Sequence, residues 1–124
     1  MGIIRSFLLF LARSRWGGWL IREVFIPMAF VIPVHRLRET ASLLAFHHPR
    51  PAYRVHIVIV PRRGYRSLME VPPEDREFQR DLFQTVQSLV REFHLESGGY
   101  RLIANGGSYQ EVAVLHFHLI SDTI

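Results

Sequence analysis

The chain has 124 residues, 48% of them hydrophobic, and a mean hydropathy of +0.10, which fits one domain with a sizeable core and leaves apolar surface for a partner or a membrane. It contains no cysteine, so disulfides, thiolate metal sites and thiol catalysis are excluded. Its 15 cationic side chains, all arginine, outnumber 11 carboxylates for a net charge of +4, a balance that bears on non-specific association and not on site chemistry.

Residues 3–12 form an apolar run too short to cross a bilayer, followed at once by Arg13 and Arg15. Gly17 and Gly18 interrupt it, and Pro27 ends or kinks any helix over residues 19–32. Residues 1–32 are therefore read as an apolar, arginine-rich helical segment ahead of a domain at 33–124. With Trp16 and Trp19 among arginines, it suits peripheral contact with a membrane surface. It equally suits a helical layer packed on the domain or across a dimer.

Val34–Arg38 and Ser42–Phe46 read as short strands, and the prolines of His47-His48-Pro49-Arg50-Pro51 fix a bend after them. The β-branched run Val55–Val60 predicts a strand with His56, Val58 and Val60 on one face. Residues 72–94 predict the one long helix. Pro72-Pro73-Glu74-Asp75 suits its first turn, Phe78, Leu82, Val86, Leu89, Val90 and Phe93 form its apolar stripe, and Arg76, Asp81 and Arg91 take its polar side. The helix is expected to stop before Gly98-Gly99. Tyr100–Asn105 predicts another strand, and Asn105-Gly106-Gly107-Ser108 a turn whose backbone N–H groups can approach an anion.

The most informative stretch is Gln110–Ser121, Q-E-V-A-V-L-H-F-H-L-I-S. Read as a strand, its alternation puts Val112, Val114, His116, His118 and Ile120 on one face, and Ala113, Leu115, Phe117 and Leu119 on the other, against a core. Two imidazoles then stand side by side on a stiff mount. By residue type alone such a pair fits a metal site, a polar surface or catalysis, in which one imidazole with a free ring nitrogen attacks and its neighbour serves the leaving group.

Taken together, L-A-F-H-H-P-R-P-A-Y-R-V-H-I-V-I-V-P-R-R, G-Y-R-L-I-A-N-G-G and the Gln110–Ser121 stretch resemble the histidine triad (HIT) superfamily, and within it the nucleotide-binding, phosphoramidase-like branch, over about residues 32–121. The family pattern is three histidines alternating with apolar residues, the central one attacking a nucleotide α-phosphate. Aligned on Gln110, the positions are Val114, His116 and His118, so the first histidine is replaced. The resemblance implies His116 as nucleophile, oriented by the backbone carbonyl of Val114, with His118 and His56 as the other catalytic histidines. It implies Asn105, Gly107 and Gln110 on the phosphate side, and Phe46, His47 and His48 toward the nucleotide. His48 stands where the family has a ribose-binding acid, and Glu111 where it has a small hydroxyl residue.

The fold so implied is α+β: an antiparallel sheet of about five strands, one long helix and the N-terminal helical segment. The function implied is a cytoplasmic, homodimeric hydrolase or nucleotidyl transferase acting on a purine nucleotide or nucleotide conjugate through a covalent histidine. No metal, no cofactor and no nucleic-acid partner is expected. Three alternatives are a nucleotide-binding module of the same fold without turnover, a membrane-surface protein, and a metal site at His56, His116 and His118.

Overall fold

A computed structural model describes residues 36–123. Five strands, β1 (Arg36–Glu39), β2 (Leu43–His47), β3 (Val55–Pro61), β4 (Arg101–Ala104) and β5 (Phe117–Ser121), form one sheet, and one helix, α1 (Arg76–Glu92), packs on it. The strand order is β1-β2-β3-β5-β4 and every pairing is antiparallel, as expected for the α+β class. The segment 1–32, with its expected helix, lies outside the described residues. No helix among the described residues is long and apolar enough to cross a membrane.

The three inner strands carry the core. Leu43 and Ala45 of β2, Ile57 and Ile59 of β3, and Phe117 and Leu119 of β5 alternate onto one face. Phe78, Leu82, Leu89 and Val90 of α1 close over them, with Leu95 and Leu115 at the margins. The helix is amphipathic for this purpose, but Asp81, expected on its polar side, is buried and accepts a hydrogen bond from Ser42 Oγ at 2.7 Å. That bond satisfies a carboxylate which burial alone would make costly.

Both helix ends are shorter than the expected 72–94. Pro72-Pro73-Glu74 turns ahead of the helix, with the Asp75 N–H donating to the Pro72 carbonyl, and Asp75 then caps α1 by accepting from the Phe78 N–H. At the other end the Leu95 N–H reaches the Val90 carbonyl and the His94 N–H the Arg91 carbonyl, the paired bonds of a Schellman stop. His94 takes the left-handed conformation, φ 56°, that glycine usually supplies. The helix therefore ends before Gly98-Gly99, as expected.

The largest departure is in the stretch Gln110–Ser121, of which only Phe117–Ser121 is strand. Residues 111–116 are a loop pinned to the preceding layer: the Leu115 N–H donates to the Tyr65 carbonyl at 2.7 Å, and the Gln110 amide nitrogen to the carbonyls of Arg66 and Val112. Ala113, expected against the core, is exposed in that loop, whereas Val114 is buried. From Leu115 onward the alternation holds.

Leu119 of β5 pairs with Ile57 of β3 and is fully buried in the core that α1 closes. Leu119→Ala is expected to cost about 2–5 kcal/mol, read as a lower urea midpoint with little change in slope.

Candidate functional site

The face of the sheet opposite α1 carries the histidines. In the β3–β5 register Val58 pairs with His118 and His56 with Ile120, so His56 and His118 are diagonal neighbours on one face. His56 Nε2 and His118 Nδ1 lie 2.9 Å apart. His48 extends the β2–β3 ladder through its N–H to the His56 carbonyl, and its ring stacks on His56 with centroids 4.3 Å apart. His116, one residue before β5, sets its ring edge to face against His118 at 4.9 Å. The structure thus gathers His48, His56, His116 and His118.

Backbone partners fix which ring nitrogen holds each proton. A carbonyl only accepts, so His116, whose Nδ1 is 2.8 Å from the Val114 oxygen, donates from Nδ1 and keeps its lone pair at Nε2. The other rings are set the opposite way. The Ala52 N–H donates to His56 Nδ1 at 3.1 Å, so the His56 proton sits on Nε2 and is given to His118 Nδ1. That leaves the His118 proton on Nε2. The Arg50 N–H likewise donates to His48 Nδ1, at 2.9 Å.

Burial keeps these three neutral. Desolvation first, then the neighbouring His116, His56 and His48, lowers the His118 pKa from 6.5 to about 4. Desolvation, with smaller contributions from His56 and His116, takes His48 to about 4 as well, and desolvation lowers His56. His118 therefore presents a neutral N–H donor near pH 7.

The same tautomers bear on metal binding. Nitrogens of His48, His56 and His118 lie within 4.8 Å of one another, a set different from the alternative site of His56, His116 and His118. A metal-binding imidazole offers a lone pair at one nitrogen and donates from the other. In His48 and His56 the second nitrogen is already an acceptor of a backbone N–H, so Nε2 carries hydrogen and has no lone pair to give.

Phe46 pairs with Val58 and so lies in the row of His118, half-buried on the same face. His47 does not join the site: the next position on β2 faces α1, and its ring meets the edge of Phe93 at 6.0 Å. Continuing the Ala104–Phe117 register by one residue sets Asn105 beside His116. Gly106 and Ser108 are exposed in the following turn, where Gly107 adopts φ +58°. Both donor bonds of Gln110 go to backbone carbonyls, so this side chain holds the loop instead of offering its N–H groups to a phosphate. Glu111 is exposed. Sequence reading missed the backbone of Arg50 and Ala52, which orients His48 and His56, and Tyr53, whose ring edge meets His56 at 5.4 Å.

A pH dependence follows. His48 and His118 must be neutral when folded, whereas the unfolded chain binds protons on them below about pH 6.5, so stability is lost as pH falls from 6.5 to about 4 and these groups add no further loss below that. The melting temperature is expected to drop across this window, and His48→Asn to reduce the drop.

Residues 29–123 match the family described as HIT domain. A HIT-like protein of Buchnera aphidicola is 28% identical over 92 residues, 73% of this chain and 82% of that protein. An adenosine 5'-monophosphoramidase of Candida albicans is 30% identical over 97 residues, 72% of this chain and 62% of the other. Among solved structures, a HIT family hydrolase from Legionella pneumophila superposes with a TM-score of 0.71 at 29% identity, covering 82% of this chain and 93% of that one. With that match, and with a five-stranded sheet that carries His116 and His118 at the start of β5, the chain belongs to the HIT domain family.

Proposed function

We propose that the protein is a nucleotide phosphoramidase or related nucleotidyl-transferring hydrolase that works through a covalent bond between His116 Nε2 and a nucleotide α-phosphate. The observation that carries this is the His116 Nδ1–H bond to the Val114 carbonyl. It aims the opposite nitrogen outward as a lone pair, and it strengthens as the ring becomes cationic on bonding to phosphorus. On this reading Val114 stands at the first position of the triad, and its backbone does what orientation of His116 requires.

The chemistry balances with water alone. The His116 Nε2 lone pair forms an N–P bond while the P–N bond to the leaving amine breaks. The amine takes a proton from a water that His118 Nε2–H holds, and the resulting hydroxide attacks phosphorus to release the nucleotide and restore His116. His118, neutral and tied to His56, acts as a fixed hydrogen-bond donor that stabilises negative charge on that oxygen. Asn105 and the turn amide of Gly107 are assigned to the phosphate, and Phe46 to a purine base. The homodimer we propose joins sheets through β4, whose second edge is unpaired among the described residues.

A second reading rests on a specific observation. With Val114 apolar and buried, and the Gln110 donors spent on the loop, the site has fewer groups to bear transition-state charge, as a nucleotide-binding module without turnover would. Incubation with adenosine 5'-phosphoramidate separates the two. AMP release is expected from the wild type, together with an adenylylated protein detectable by mass spectrometry under non-acidic quenching. His116→Ala should lose about a thousandfold or more in rate. Nucleotide binding with no release by the wild type would favour the module.

A further inference from the structure

Beyond the histidines, on the same face of the sheet, lies a groove of about 420 Å³ lined by Tyr53, Tyr100, Arg101, Ile120 and Asp122. Its position follows from the register. His56 pairs with Ile120 and Ile120 with Arg101, so one row crosses from the histidine cluster into the groove. Tyr53, already against His56, forms the shared wall. Along β5 the order is His116, His118, Ile120, and two strand residues advance about 7 Å. The groove is therefore the next station after His118 on the side away from His116.

The groove is built firmly. Ser121 Oγ donates to the Gly99 carbonyl at 2.7 Å and ties the Gly98–Tyr100 wall to the end of β5. Gly98 packs so closely on Thr123 that an added Cβ would sit 2.6 Å from its side chain. Asp122 is held at the rim by the Arg54 N–H. Arg101, by contrast, is exposed and makes no ion pair among the described residues, and Tyr53 and Tyr100 are 38% and 48% exposed. Two partly exposed phenol rings and an uncommitted guanidinium suit a flat ring that carries an anionic group.

We propose that this groove is the leaving-group subsite and that it takes a benzylic-type amine whose aromatic ring bears a carboxylate, the ring against Tyr53 and Tyr100 and the carboxylate on Arg101. This rests on the proposed attack by His116: as the P–N bond breaks, the departing amine lies on the His118 side, at the mouth of the groove. The nucleotide half then runs from His116 across β3 toward Phe46 on β2, while the groove opens toward β4, so the two halves of the conjugate are read on opposite flanks of β5.

The test compares adenosine 5'-phosphoramidate with its conjugate in which the amine is 4-(aminomethyl)benzoate. In Arg101→Gln and Tyr100→Ala, the ratio of kcat/KM for the benzoate conjugate to that for the parent compound should fall about tenfold. A ratio equal to the wild-type value in both variants overturns the subsite. If the wild type turns over neither compound, the catalytic reading fails, and the groove is judged by isothermal titration with free 4-(aminomethyl)benzoate. Binding weakened about tenfold in Arg101→Gln then supports the subsite, and no binding to the wild type overturns it.

Discussion

The hydrogen bond from His116 Nδ1 to the Val114 carbonyl is the constraint on which the site depends. It needs a carbonyl that stays where it is, and the loop ahead of β5 is arranged to provide one. Val114 is buried, the Leu115 N–H is tied to Tyr65, and Gln110 spans to Arg66. Leu115, Phe117 and Leu119 then anchor the chain into the core beneath α1. A side chain on such a mount holds its direction because its supports are buried backbone and packed apolar groups, which move little.

Two opposed tautomer settings coexist a few ångströms apart. His116 meets a carbonyl and keeps its proton on Nδ1, while His48 and His56 meet backbone N–H groups and keep theirs on Nε2. His118 takes its setting from His56. The consequence is a division of labour on one face: a lone pair at His116 Nε2 and a proton at His118 Nε2. Desolvation reinforces it, since neutral rings are what half-buried histidines packed against one another favour. The bend at Pro49–Pro51 places the two N–H groups, so a proline-fixed turn far from β5 in sequence helps to decide the chemistry at its start.

The sheet and helix were legible wherever burial has a period. Leu43 and Ala45, Ile57 and Ile59, and Phe117 and Leu119 alternate because the face against α1 must be dry, and each pair is visible in the sequence. The alternation failed at Ala113, because hydrogen bonds from neighbouring layers, which leave no trace in residue type, turn residues 111–116 into a loop. The helix stops before Gly98-Gly99 as read, but the residue that turns the chain there is His94, which does what glycine does more often. Of the site residues, the faces of His56 and His118 could be read from their strands. Alternation continued past β2 also separates His47 from His48. The donors of Arg50 and Ala52 belong to backbone direction in a bend and were beyond reach of pattern.

The central claim is a statement about protons, and nitrogen-15 NMR of the histidine rings near pH 7 measures it directly. The account predicts that His116 is protonated at Nδ1 with an unprotonated Nε2, while His48, His56 and His118 are neutral with the proton on Nε2. A His116 ring protonated at Nε2, or a His56 ring unprotonated there, would contradict it.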